Sequence, residues 1–150
     1  MSLTERTKNR AYELGFDLAG VAPAVTPGGV THLRTWLERG FAGEMSYMSR
    51  HAAAREDPQR VLEGVRSILM VAMNYRTTDP QPAGPLEGHI SRYAWGEDYH
   101  RIMKQRLHQL ADFLHAELPD HRTRVVVDTA PILERDFAQL AGIGWIGKNT

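Results

Sequence analysis

Apolar positions recur along this chain at the spacing of helices and of strands in turn. The longest helical pattern covers residues 98–118, and Asp98 is placed to cap its first turn. Its apolar stripe consists of Met103, Leu107, Leu110, Leu114 and Leu118. We expect this stripe to pack against the protein core, because residues three or four positions apart share one face of a helix.

Four shorter helices are predicted around this long one, including a short one near residues 60–62 that follows the polar turn at residues 55–58. The first covers residues 4 or 5 to 14 and ends at Gly15, and the second covers residues 30–39 and ends at Gly40. A glycine after the last turn takes up the left-handed backbone that ends many helices, because it has no Cβ. The last predicted helix covers residues 132–140.

Runs of β-branched and aliphatic residues predict three strands, at residues 16–22, 67–75 and 124–127. The second run is the most apolar, so we expect it in the middle of a sheet. Residues 77–88 are rich in Pro and Gly and predict a long loop. Helices alternating with strands indicate a layered α/β (α+β) fold, with helices packed on a mixed sheet in a single domain over residues 1–150.

Composition narrows the functional classes. The 150 residues include 18 Lys plus Arg and 18 Asp plus Glu, so no net charge attracts nucleic acid or an anionic membrane. The chain has no cysteine, which excludes disulfides, thiolate catalysis and all-thiolate iron–sulfur or zinc sites within these residues. The longest apolar stretch, residues 68–73, is too short to span a bilayer, and the N-terminus does not resemble a secretory signal. We therefore expect a cytoplasmic protein.

Asp128 is the strongest candidate for a site residue. It follows the predicted strand over residues 124–127, and Pro131 after it suits the first turn of a helix. Ligands of open α/β sheets bind outside the carboxyl ends of strands, so an acid at that place is a candidate for chemistry. The alternative is structural, with Asp128 or Thr129 capping the next helix.

Other patterns are less specific. Residues 91–100 mix aromatic side chains with Arg and His at a predicted loop-to-helix junction, which suits either a flat ligand or a capped helix start. Residues 142–147 have the G-x-G-x-x-G spacing but follow a predicted helix, whereas a dinucleotide site requires a strand there. His108, Asp112 and His115 share one helix face, which indicates a solvated surface more than a metal site.

Four ordered strings carry a family resemblance: REDP at residues 55–58, RYAWGEDYH at 92–100, VDTAP at 127–131 and GIGWIGKNT at 142–150. Together they resemble epoxyqueuosine reductase, specifically its N-terminal, cobalamin-binding part. The likeness extends over nearly all of the chain. It implies a nitroreductase-like cobalamin-binding domain.

The resemblance also implies an activity and its residues. The family reduces epoxyqueuosine in tRNA to queuosine, the last step of queuosine biosynthesis, with cobalamin and two [4Fe-4S] clusters. Asp128 corresponds to the proposed proton donor over the cobalt face, and Arg55, Ser91 and Lys148 fall on positions that resemble cobalamin contacts. The implied partners are tRNA with a GUN anticodon carrying epoxyqueuosine and a cellular reductant, with no membrane.

The resemblance has one large departure, which is the absence of cysteine. The cysteine-rich cluster segment of the family is expected after residue 147, so we expect that this sequence is an N-terminal piece of a longer enzyme and that alone it binds corrin weakly, without multiple turnovers. Asp128 would need an apolar, water-poor pocket to remain a protonated acid. A modest basic set suits either tRNA or ordinary surface charge: Arg92, Arg101, Lys104, Arg122 and Arg124.

Two alternatives remain open from sequence. The first is a relative of the corrinoid-dependent reductive dehalogenases, which act on small organohalides; the strings at residues 92–100 and 128–131 favour the tRNA enzyme over it. The second is a non-catalytic corrin-binding module, which the lack of cluster ligands makes reasonable for these 150 residues.

Overall fold

The computed structural model describes residues 1–147 except 77, 80 and 82. It contains helices and two strands, whereas the apolar pattern predicts three strands. The helices are α1 (Leu3–Glu13), α2 (Val30–Glu38), α3 (Ser46–Arg50), α4 (Ala52–Glu56), α5 (Tyr99–Glu117) and α6 (Glu134–Leu140), with 3-10 turns at Pro58–Arg60 and Arg92–Ala94. The strands are β1 (Leu18–Pro23) and β2 (Ser67–Ala72).

Three of the predicted helix ends are confirmed by local contacts or backbone conformation, whereas the last helix begins at Glu134 and not at residue 132. The backbone N–H of His100 donates to the Asp98 carboxylate at 2.9 Å, so Asp98 caps α5. Gly15 and Gly40 follow α1 and α2 with φ values of +84° and +70°. Both glycines therefore take the left-handed backbone expected of a helix stop.

The sheet is an antiparallel pair in which Leu18 lies opposite Ala72 and Pro23 lies opposite Ser67. The expected fold class, helices packed on a sheet, is confirmed. Two details of the expected sheet are wrong for the described residues. Strand β2 pairs with β1 alone and is half-buried rather than central, and residues 124–127 pair with no strand. Their β-branched side chains favour an extended backbone, but a strand also requires a pairing partner.

The main core lies where α1 and α5 meet β1. Its buried residues are Ala11, Phe16, Ala19 and Leu110. Met103 and Leu107 from the predicted stripe of α5 pack beside them, whereas Leu118 is 45% exposed. The stripe is therefore buried at Leu110, partly buried at its other positions and exposed at its end.

Helix α6 packs on the sheet through Phe137, which is 1% exposed. A Cβ atom on Gly20 would lie 2.2 Å from the carbonyl oxygen of Ala141, so only glycine permits this close approach. On the other side, the backbone N–H of Gly29 donates to Asp136 at 2.6 Å. These contacts fix α6, which follows the loop that carries Asp128.

No helix in the described part of the chain is long and apolar enough to cross a membrane.

Candidate active site around Asp128

Asp128 lies in a strained turn between a buried residue and α6. The side chain of Val127 is 4% exposed, and the backbone N–H of Thr129 donates to the carbonyl of Val127 at 2.6 Å. Asp128, in the centre of this turn, has a φ of +56° and is the one non-glycine residue with positive φ among the described residues. A γ-turn with positive φ is rare, and the left-handed backbone costs an L-residue about 1 kcal/mol. The surrounding contacts must therefore hold this conformation.

The Asp128 carboxylate meets the N-terminus of α5. The Tyr99 hydroxyl donates a short hydrogen bond to Oδ2 of Asp128, and Nε2 of His100 lies 3.5 Å from the same oxygen. The other ring nitrogen of His100, Nδ1, lies 2.8 Å from Oδ1 of Asp98. The rings of Tyr99 and His100 are stacked with centroids 4.1 Å apart. A phenol and an imidazole thus both lie close to the same carboxylate oxygen.

Tyr99 remains a hydrogen-bond donor over a wide pH range. The hydrogen bond to Asp128, together with partial burial, raises the pKa of the Tyr99 phenol from 10.0 to about 12. At neutral pH the phenol is therefore protonated and can donate to the carboxylate. The hydrogen bonds from the ring and backbone of His100 lower the pKa of Asp98, so that group stays anionic beside the imidazole.

Glu134, the first residue of α6, holds the backbone of Asp128. Its Oε1 accepts the backbone N–H of Asp128 at 3.1 Å. The glutamate is half-buried, and this burial, followed by the nearby charge of Asp128, raises its pKa. Two carboxyl groups with different surroundings therefore lie side by side. Asp128, whose side chain is 50% exposed, is the more exposed of the two.

A cavity of about 500 Å³ lies beside Asp128. Its acidic and basic side chains are mostly basic and consist of Arg55, Arg60, Arg124, His51 and Asp128. The remaining walls are Tyr47, Ala54, Val61, Thr129, Ala130 and Pro131. Several N–H donors and one carboxylate therefore converge on a partly apolar space, as in sites for small molecules.

Two of the three arginines of the cavity donate to backbone carbonyls. Arg124 donates from Nη1 to the carbonyl of Val61 at 2.6 Å, and Arg55 donates from Nη1 to the carbonyl of Met48 at 3.5 Å. A guanidinium has five N–H donors, so one carbonyl leaves donors for a ligand. The bonds to carbonyls fix the side chains without neutralising their charge.

The structure brings together two of the residues predicted as site residues. Asp128 and Arg55 both line the cavity. Ser91 is exposed at the start of the 3-10 turn Arg92–Ala94 and is not part of the cavity lining. Lys148 lies outside the described residues. The apolar, water-poor surroundings expected for Asp128 are also absent from the described structure, because its neighbours are polar and half of its side chain is exposed.

Sequence reasoning missed several partners of Asp128. Tyr99 and His100 belong to the aromatic and basic string at residues 91–100, but nothing in the sequence links them to Asp128. The sequence shows Glu134 only as an acid in the first turn of a predicted helix. Arg60 has no motif of its own, and its place on the cavity follows from the tertiary structure.

A carboxylate, a phenol and an imidazole beside a basic cavity are typical of enzyme sites in which a proton moves at a bound ligand. The family is shown by sequence comparison. Residues 55–129, half of the chain, match the family model described as Epoxyqueuosine reductase QueG, DUF1730. The chain therefore belongs to the epoxyqueuosine reductase family, and the resemblance seen in its motifs is confirmed.

Relatives from other organisms agree with this assignment. The chain is 45% identical over 144 residues to the epoxyqueuosine reductase of Gloeobacter violaceus, across 95% of the chain and 44% of that protein. A crystal structure of an epoxyqueuosine reductase with a tRNA-Tyr epoxyqueuosine-modified tRNA stem loop superposes with a TM-score of 0.81 and 29% identity, across 98% of the chain and 40% of that protein.

A third relative, the epoxyqueuosine reductase of Bacillus subtilis, has its catalytic aspartate loop swung out of the active site. It superposes with a TM-score of 0.80 and 28% identity, across 98% of this chain and 40% of that one. The chain thus spans less than half the length of the relatives it matches.

Proposed function

We propose that this chain forms the cobalamin- and substrate-facing part of an enzyme that reduces epoxyqueuosine in tRNA to queuosine, with Asp128 as the proton donor. The observation that carries the proposal is the Asp128 carboxylate, hydrogen-bonded by Tyr99 beside a cavity that Arg55 also lines. The family match supplies the reaction class. The aspartate loop of the Bacillus subtilis relative supports an aspartate as the catalytic group, and Asp128 is our candidate for its counterpart.

The residues of the cavity fit cobalamin chemically. The corrin carries peripheral amides and a phosphodiester, which accept hydrogen bonds from guanidinium groups such as those of Arg55, Arg60 and Arg124. The apolar wall formed by Val61, Ala130 and Pro131 suits the hydrocarbon parts of such a macrocycle. A ligand of that size would extend beyond the cavity of about 500 Å³, so residues outside its lining, including Ser91 and Lys148, remain proposed contacts.

The chemistry requires a proton at a defined place. Removing the epoxide oxygen to leave an alkene consumes two electrons and two protons and releases water. Cobalamin, when bound, would supply the electrons, and the protein supplies orientation and protons. With the cavity covered by the corrin, Asp128 would carry a proton and give it to the departing oxygen, and the second proton would come from water. The Tyr99 hydroxyl, which stays protonated near neutral pH, orients the Asp128 carboxyl group.

Electron delivery to cobalamin lies outside these residues. A [4Fe-4S] cluster requires thiolate ligands, and the chain has no cysteine, so its own residues do not fit either of the two clusters that the resemblance implies. We propose that the cluster ligands belong to a part of the protein beyond these 150 residues. A cellular reductant would supply electrons to that part.

The tRNA substrate is proposed on the basis of the relative crystallised with a modified stem loop. The basic set from the sequence adds less, because two of its five members are paired with carboxylates: Arg92 pairs with Asp79 and Arg101 pairs with Glu97. Arg122 and Arg124 donate to the carbonyls of Glu63 and Val61 and keep their charge. An enzyme that modifies tRNA would act in the cytoplasm, and we propose this location together with the tRNA substrate.

Anaerobic titration of the chain with cob(II)alamin, followed by absorption spectroscopy, tests the cavity. The variant Arg55→Gln removes a charged donor from the lining, and we expect it to bind about tenfold more weakly than the unmodified chain. The control is Arg66→Gln, because Arg66 is exposed and does not line the cavity. The absence of any spectral change with the unmodified chain, or equal affinities of the two variants, would contradict the proposed site.

A further inference from the structure

Asp128 is held in its turn by two kinds of contact. Its side chain is held by Tyr99 and His100 from α5, and its backbone is held by Glu134 from α6. The first kind orients the carboxylate after the turn has formed. The second kind acts on the turn itself, because the N–H that Glu134 accepts belongs to the residue with the positive φ.

Glu134 is well placed to act as an anchor. It is the first residue of α6, and that helix is fixed by the buried Phe137 and by the bond from the Gly29 N–H to Asp136. A carboxylate at a helix N-terminus is also favoured by the helix dipole. The acceptor for the Asp128 N–H is therefore itself attached to a part of the molecule that does not move easily.

We propose that Glu134 is a positioning residue that keeps the Asp128 carboxylate at the cavity by accepting the Asp128 backbone N–H. The inference rests on the proposed role of Asp128 and extends it to a residue that does not line the cavity. Without an acceptor for this N–H, no hydrogen bond offsets the conformational cost of the strained turn, and the backbone relaxes to an ordinary conformation. Relaxation turns the Asp128 side chain away from Tyr99.

Two variants separate the acceptor from the charge. Glu134→Ala removes the acceptor, whereas Glu134→Gln keeps a carbonyl oxygen and removes the negative charge. The control is Arg135→Gln, because Arg135 is an exposed neighbour on the same helix. All three can be measured in the chain without cofactor, so the test is independent of turnover.

The direct readout is amide hydrogen exchange of Asp128 by NMR. We expect Glu134→Ala to lower the protection of this N–H by about tenfold, and Glu134→Gln and Arg135→Gln to leave it near that of the unmodified chain. The Tyr99 phenol gives a second readout. Its pKa of about 12 depends on the Asp128 carboxylate, so it should fall toward 10 in Glu134→Ala alone.

In the cofactor-loaded reductase, Glu134→Ala should lower kcat with little change in the KM for a modified stem loop, and Glu134→Gln should restore most of kcat. Unchanged amide protection and an unchanged Tyr99 titration in Glu134→Ala would overturn the inference. So would equal losses in Glu134→Ala and Glu134→Gln, because the charge rather than the acceptor would then be responsible. If the unmodified enzyme reduces no epoxyqueuosine, the proposed function fails, but the amide measurement still decides the role of Glu134.

Discussion

The hydroxyl of Tyr99 donates to Oδ2 of Asp128 across 29 positions of sequence, and this bond joins the first turn of α5 to the strained loop before α6. The stacked ring of His100 lies on the same side, 3.5 Å from that oxygen at Nε2. The candidate site is therefore made by two separate segments, and each can be tested by substitution.

In the cofactor-loaded reductase, Asp128→Asn should abolish turnover while leaving the fold intact. Asn tolerates the left-handed backbone and still accepts the Tyr99 hydroxyl, but it has no acidic proton to give. We expect the rate of epoxyqueuosine reduction on an anticodon stem loop to fall by about 100-fold or more, measured by mass spectrometry of the digested RNA. Cobalamin binding should be unchanged. Undiminished reduction by this variant would remove Asp128 from the mechanism.

Tyr99→Phe should reduce the rate of the chemical step moderately. The variant removes one hydrogen bond to a partly exposed carboxylate, which is worth about 1 kcal/mol or about fivefold in rate. Tyr93→Phe is the matched control, because Tyr93 packs edge-on against Tyr99 with centroids 6.2 Å apart. Single-turnover reduction under anaerobic conditions measures the effect. Equal rates for the two variants would show that the Tyr99 hydroxyl does not support Asp128.

The phenol of Tyr99 should titrate near 12 in the folded chain and near 10 after Asp128→Asn, because the neutral amide no longer penalises the phenolate. Because the folded-state pKa of Tyr99 lies above its unfolded value, the hydrogen bond stabilises the protein at pH values below about 10. This contribution is lost as the pH rises through about 12. NMR of the Tyr Cζ carbons resolves the individual titrations. A Tyr99 midpoint near 10 in the unmodified chain would contradict the hydrogen bond to Asp128.

Gly20→Ala should destabilise the packing of α6 on the sheet. The added Cβ would lie 2.2 Å from the carbonyl oxygen of Ala141, so the helix must shift. We expect a loss of about 2 kcal/mol in the free energy of unfolding, measured by urea denaturation. Gly28→Ala is the control, because a Cβ there has no atom within 4 Å. Equal stability of the two variants would mean that the close approach at Gly20 is not maintained in solution.

Sequence reasoning works well for the elements whose causes are local. The cap at Asp98 and the stops at Gly15 and Gly40 follow from contacts or conformations within a few residues of chain. The helical spacing of apolar residues likewise predicts that Leu110 faces the core. The family also follows from sequence, because its motifs are short strings in fixed order. Asp128 and Arg55, which were singled out from those strings, do line one cavity.

Strand pairing and the partners of Asp128 depend on contacts between segments that are distant in sequence. Residues 124–127 have the composition of a strand, yet they pair with none of the described strands, since pairing depends on which backbone lies alongside. The sequence alone determined that an acid follows this apolar run and that an aromatic string begins the long helix. Only the tertiary structure decided that Tyr99 and Glu134 hold that acid from two sides, because a hydrogen bond depends on distance in space and not on separation along the chain.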